Sequence, residues 1–302
     1  MIKDKYVSHP TSYKSRRSRG LVWVCDVASS SRLLNRNDTA EATELFLERF
    51  LHLALSAVNA GGGTFVKWTG DGFLAFFETP LDRAVGETAA TIFEAAWWLT
   101  ILVNVTQLCS PSKERFRIRH AVTYEKDALL IDLRHSGDMK SKDVLGRSVV
   151  AAFRLSGISC EFPHIVTHRE ILRAIDDAQI STLVSFKANP LTAQARARFF
   201  KGEVFGTRDV YVSANRLRRK RRSIKAIKRS TTQLLDSIQK GSELNLFPFR
   251  KKFFDALYDG PTWYTEMLEV FAQDFLNPAF DTLLESTKNP PPINFPAVIE
   301  RH

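Results

Sequence analysis

Gly70-Asp71-Gly72 lies between two apolar, β-prone runs, Thr64–Trp68 and residues 73–77. A turn of this kind makes a tight hairpin with a carboxylate at its tip. A second carboxylate, Asp26, stands near the end of the apolar run 21–27. Ala28-Ser29-Ser30-Ser31 follows as a small-residue loop able to open a helix. Paired carboxylates hold hard Mg²⁺ or Mn²⁺ ions, and N–H groups at a helix start bind phosphate oxygens. The set therefore suits a metal-bound polyphosphate. Each part also has a plain structural use: Asp-Gly favours hairpins with no function attached, and Asp26 could cap a helix.

A third block is Asp143-Val144-Leu145-Gly146-Arg147-Ser148-Val149-Val150-Ala151-Ala152-Phe153-Arg154-Leu155. With the strand ending in Asp26 and the Lys67-x-x-Gly70-Asp71 hairpin, it resembles the catalytic domain of class III nucleotidyl cyclases. The block is similar to that family's Asp-x-x-Gly-x-x-Val-Asn-x-Ala-x-Arg segment. Any one block alone is a weak signal, and the order and spacing of three make a strong one. The resemblance spans residues 20–213, about two thirds of the chain.

The resemblance implies roles. Asp26 and Asp71 match the family's two metal-binding aspartates, and the Val27 carbonyl would be a further ligand. Two Mn²⁺ or Mg²⁺ ions per active site would activate the ribose 3′-hydroxyl and offset charge on the triphosphate. Arg154 aligns with the transition-state arginine, which engages phosphate oxygens as charge moves to the leaving group. Ser29, Ser30 and Ser31 would meet the phosphates through backbone N–H groups. Lys201 resembles a late phosphate-binding lysine, although Glu203 stands where some members place that lysine. Lys67 and Asp143 match the residues by which adenylate cyclases read the purine edge: a lysine donates and a carboxylate accepts.

Three departures point away from ATP. Val150 replaces the ribose-orienting asparagine, Phe153 puts a ring where a small residue is preferred, and Arg119 and Thr123 replace glycines. Bulk near a nucleobase pocket would favour a smaller base. Lys-Trp-Thr-Gly-Asp-Gly-Phe-Leu-Ala and Ser-Ser-x-Leu-Leu-Asn look most like the pyrimidine cyclases of bacterial Pycsar anti-phage systems. The expected reaction is then UTP to cyclic UMP and pyrophosphate, the product activating a separate effector that the enzyme does not bind directly. An adenylate cyclase using Lys67 and Asp143 is one alternative. A catalytically inactive homologue that binds nucleotide or RNA is another. A guanylate cyclase fits less well, since Lys67 offers only donors to a guanine amine. In the family the site forms between two subunits, and this chain contains both halves, so a homodimer is expected.

The elements that must position these residues are legible in outline. Strands are expected at 21–27, 64–68, 73–77, 116–124, 128–133 and 164–167, with a last hairpin at 199–204 and 208–212. Helices are expected from Asp38 or Thr39 to about Asn59, where Gly61-Gly62-Gly63 ends the run, and at 81–108 and 146–157. Their order predicts an α+β fold, a mixed sheet with helices on one side. The resemblance implies a ferredoxin-like βαββαβ class III cyclase core with a mostly helical C-terminal extension. The domain reading is a basic lead-in at 1–19, a catalytic domain at 20–213, and a basic linker with an aromatic-rich extension at 214–302.

At 302 residues and 44% hydrophobic, the chain can bury a sizeable core. Its +10 formal charge concentrates at 14–19 and 216–229, which would attract a triphosphate, while nucleic acid is not expected as a partner. Three cysteines without paired spacing fit a reducing cytosol, and residues 1–5 show no secretory signal, so a cytoplasmic protein is expected. The apolar stretch 95–105 is shorter than the ~20 residues of a membrane span and is expected to be a buried helix.

Overall fold

The computed structural model describes residues 10–28, 30, 40–81, 84–108, 116–135, 140–158, 165–180, 186–189 and 210–213, and positions 184, 192 and 252. The expected hairpin strand at 199–204, Asp38 and Thr39, and nearly all of the C-terminal extension lie outside these residues.

The chain runs β1 (Pro10–Val27), α1 (Ala40–Ala60), β2 (Thr64–Trp68), β3 (Gly72–Glu78), α2 (Val85–Leu108), β4 (Ile118–His135), β5 (Lys140–Leu145), α3 (Arg147–Ser156), β6 (Ile165–His168), α4 (Arg169–Asp177), β7 (Phe186–Ala188) and β8 (Val210–Ser213). The sheet order is β2-β3-β1-β4-β6-β8-β7, with β5 on β4. Its first six elements are βαββαβ, and β2-β3-β1-β4 is the ferredoxin-like order.

The central strands are apolar on both faces because both faces are covered. Leu21, Trp23, Cys25, Phe73, Ala75 and Phe77 point to a first layer that includes Phe46, Phe50 and Leu53 of α1 and Phe93 and Trp97 of α2. Trp23 and Phe73 pack in a T-shaped pair at a centroid distance of 5.0 Å. The alternate residues Val22, Val24, Leu74, Phe76 and Ala121 pack on the second face with Val149, Ala152 and Leu155 of α3. The expectation of helices on one side is thus corrected. The α3 stripe Val149, Ala152, Leu155 is spaced to bury itself, and the second face is the one left for it.

The basic lead-in is also corrected from residue 10 onward. Residues 10–18 continue β1 and pair with β4, and both of their arginines are paired: Arg16 with Glu78, and Arg17 with Asp127 at 2.7 Å. Glu125-Lys126-Asp127 is not a turn but a bulge. Lys126 and Asp127 oppose the single residue Arg19 between the pairs Gly20–Glu125 and Ser18–Ala128, and β4 continues. Strands β5 and β7 and helix α4 carry short or polar patterns and were not anticipated. Helix α2 starts at Val85 rather than 81, after Pro80. It is long and apolar enough to cross a membrane by length and composition, yet 94% of its most apolar window is buried, so it serves as the core helix.

Candidate active site

Two carboxylates meet at the end of the central strands because of a close backbone approach. Asp26 of β1 pairs in register with Gly72 of β3, directly after Asp71. A Cβ on Gly72 would sit 2.1 Å from the Cys25 carbonyl oxygen and 2.7 Å from the Asp26 Cα, so only glycine lets the strands close here. Gly70 has φ +94°, the left-handed conformation that turns the hairpin tip. The Thr69 N–H donates to the Gly72 carbonyl at 2.8 Å, and the Val27 N–H donates to the Asp71 carbonyl at 3.1 Å. The tip carrying Asp71 is therefore tied to the strand end carrying Asp26 and Val27.

Side chains complete the cluster. The Ser30 hydroxyl donates to Asp71 Oδ2. Arg119 of β4 faces Asp26 across the register and engages it with both prongs, Nε to Oδ1 at 2.9 Å and Nη2 to Oδ2 at 2.7 Å. Both side chains are about four-fifths buried, 21% and 22% exposed. The Ser156 hydroxyl at the end of α3 donates to Asp26 Oδ2 at 3.4 Å. Burial pushes the Asp26 carboxyl up; the Arg119 guanidinium pulls it back down, and the neighbouring Asp71 charge adds to the rise. Burial also pushes the Cys25 thiol well up, which leaves it an inert core thiol.

Lys67 and Asp143 are joined as well, although they lie 76 residues apart. Lys67 Nζ donates to both carboxylate oxygens, at 2.8 and 3.0 Å. The reach exists because Ala128 and Leu130 of β4 and Val144 of β5 pack into the second-face cluster beside Val66, Leu74 and Phe76. Lys67 pairs with Leu74, and Leu74 with Val24. Two strand spacings and two residues along the strand then separate the Lys67 and Asp26 Cα atoms by about 12 Å.

Helix α3 presents Val150 and Phe153 to solvent, 42% and 38% exposed, with Arg154 half-buried on its flank. Its start is held by Glu125, whose Oε2 accepts the Ser148 N–H at 2.8 Å. Gly146 makes room for this: a Cβ there would lie 2.3 Å from the same oxygen. Thr123 donates its hydroxyl to the Ser148 carbonyl at 2.7 Å.

Of the residues singled out from sequence, Asp26, Val27, Ser30 and Asp71 come together, and Lys67 joins Asp143. Arg154 lies on α3 two residues before Ser156, which touches Asp26. Ser29, Ser31 and Lys201 lie outside the described residues. Ser30 is held through its hydroxyl on Asp71 rather than only through its backbone. Arg119 and Thr123 do not act as bulk alone: Arg119 is paired with Asp26, and Thr123 ties β4 to α3. Ser156 and Glu125 were missed, since a lone serine or glutamate carries no local signal.

Among the described residues no three His, Cys, Asp or Glu side chains gather as a metal cluster. The pair Asp26–Asp71 nevertheless fits a hard divalent cation. It is an all-oxygen set, and a Mg²⁺-like ion completes its shell with water, carbonyl and phosphate oxygens. A cationic guanidinium already stands on one of the two carboxylates.

No protein-family model matches the sequence, and no curated protein matches it. Solved structures do. The adenylyl cyclase CyaB from P. aeruginosa superposes with a TM-score of 0.54 at 18% identity, over 67% of this chain and 96% of that one. A bacterial light-regulated adenylyl cyclase gives 0.51 at 13% identity, over 75% of this chain and 60% of that one. At such identities the likeness concerns the fold, and the chain has the α+β fold of class III cyclase catalytic domains.

Proposed function

We propose that the protein is a metal-dependent nucleotidyl cyclase that converts a nucleoside triphosphate to its 3′,5′-cyclic monophosphate and pyrophosphate. The observation that carries this reading is the meeting of Asp26 and Asp71 at adjacent strand ends of a cyclase fold. Two divalent ions held there by Asp26, Asp71 and the Val27 carbonyl would acidify the attacking ribose hydroxyl and offset phosphate charge. The chain's own side chains do the rest. Ser30 holds Asp71 in place, Arg154 meets the charge that develops on the phosphates, and Lys67 with Asp143 reads the base edge.

The active unit in this proposal is a homodimer in which one copy supplies the aspartates and the other Arg154, Lys67 and Asp143. The exposed Val150 and Phe153 beside Arg154 supply an apolar face for the second copy. UTP is the favoured substrate, on the resemblance of the Lys67–Ala75 hairpin to Pycsar pyrimidine cyclases. The product would serve as a cytoplasmic signal in anti-phage defence, sensed by a separate effector. The assembled Lys67–Asp143 pair favours a second reading, ATP as substrate.

The test is a product assay with Mn²⁺ or Mg²⁺ and each of ATP, GTP, CTP and UTP, read by mass. Cyclic UMP is expected. Cyclic AMP as the main product would replace the pyrimidine reading with the second one. No cyclic product from any of the four would overturn the cyclase proposal.

A further inference from the structure

Among the described residues, Arg119 makes a strong contact with the candidate metal site that the proposed chemistry leaves unused. It occupies Asp26 with a bidentate, mostly buried pair. A metal ion that takes Asp26 must displace this guanidinium. Displacement would strand a cation in a site where both partners are about four-fifths buried, and an unpaired charge there is costly. The metal therefore binds poorly alone. A triphosphate arriving with the metal removes the penalty, because phosphate oxygens accept the same planar fork that a carboxylate does.

We infer that Arg119 is a substrate-binding residue that exchanges partners, releasing Asp26 to the metal and taking a phosphate oxygen of the incoming triphosphate. No covalent bond is made or broken in the step: hydrogen bonds change partner, Asp26 would replace a water on the metal, and charge stays matched, guanidinium with carboxylate before and with phosphate after. The exchange couples metal binding to polyphosphate binding. It also explains why β4 carries an arginine at a position that faces Asp26 directly. The inference rests on the metal role proposed for Asp26 and Asp71.

The coupling has a signature of opposite signs. Mn²⁺ binding is measured at pH 8 by electron paramagnetic resonance on the full chain, and binding of preformed Mn²⁺–tripolyphosphate by calorimetry. Arg119→Met should bind Mn²⁺ alone about tenfold more tightly, since nothing competes for Asp26, and Mn²⁺–tripolyphosphate about tenfold more weakly. Arg119→Lys, which keeps the charge without the fork, should fall between wild type and Arg119→Met in both. It also serves as the test if the methionine variant does not fold. Both affinities unchanged, or moving in the same direction, would overturn the exchange while Asp71→Asn still weakens Mn²⁺ binding. Asp71→Asn leaving Mn²⁺ binding unchanged would instead remove the metal site itself, and the Arg119 inference with it.

Discussion

At the scale of single residues, the candidate site is a balance between burial and charge. Asp26 is mostly buried, and burial holds its carboxyl above the ordinary range in spite of Arg119. The sign follows. A carboxyl whose folded value is raised contributes stability below its unfolded value, and that contribution is lost as pH rises through the folded value. Asp26→Asn should therefore flatten this part of the stability–pH curve above about pH 4, measured by urea unfolding at several pH values. Two of the site glycines, Gly72 and Gly146, should behave differently. Gly72→Ala drives a methyl into the Cys25 backbone, so a loss of several kcal/mol, roughly 3 or more, is expected in denaturant unfolding. Gly146→Ala meets the movable end of Glu125 and should lose about 1 kcal/mol, the worth of a helix cap. Asp71 is at a hairpin tip beside solvent. Asp71→Ala should abolish cyclic product while leaving far-ultraviolet circular dichroism unchanged; retained turnover would refute its metal role.

At the scale of elements, polar connectors decide how helices meet the sheet. Trp23 Nε1 donates to His120 Nδ1 at 3.3 Å, so His120 carries its proton on Nε2 and donates to the Thr100 hydroxyl at 2.9 Å. Thr100 passes its own proton to the Ala96 carbonyl at 2.8 Å. This chain closes a buried route from β1 through β4 to α2 with every step satisfied. On α4 the N-cap position is His168, and burial pushes its imidazole below the ordinary histidine range, with Glu170 pulling the other way. A helix start also disfavours a cation. Because the folded value is depressed, the unfolded chain binds the proton first, and stability falls as pH drops below about 6.5. The melting temperature of wild type should fall between pH 7 and pH 5, and His168→Gln should reduce that slope. An equal slope in the variant would assign the effect to other groups.

At the scale of the whole molecule, the proposed dimer is tested by complementation. Asp71→Ala and Arg154→Ala should each be inactive alone. Mixed in equal amounts and allowed to exchange, half of the dimers are mixed and each of those has one intact site, so about a quarter of wild-type activity should return. No recovery despite proven exchange would place both residues in one subunit's site. Phe153→Lys puts a charge into the exposed apolar face of α3 and should shift the protein toward monomer in sedimentation, with activity falling in step.

What the sequence by itself determined were the features whose causes are local. The Gly70-Asp71-Gly72 tip, the α1 stop at Gly61-Gly62-Gly63 with Gly62 at φ +75°, and the apolar runs of β3 and α2 are each dictated within a few residues. The six-element core order could be read from them, and resemblance singled out Asp26, Asp71, Lys67 and Asp143, though not that Lys67 and Asp143 join. Only the tertiary structure decided what depends on register. Arg119 meets Asp26 across 93 residues because β4 lies beside β1 in one alignment, and a one-residue slip would send it to the other face. The same register turns Glu125-Lys126-Asp127 into a bulge and makes Pro10–Val27 one strand, because arginines in an exposed strand are tolerated once the Glu78 and Asp127 side chains pair with them. Such pairings are set by the packing of the whole sheet, and no stretch of residues announces them in advance.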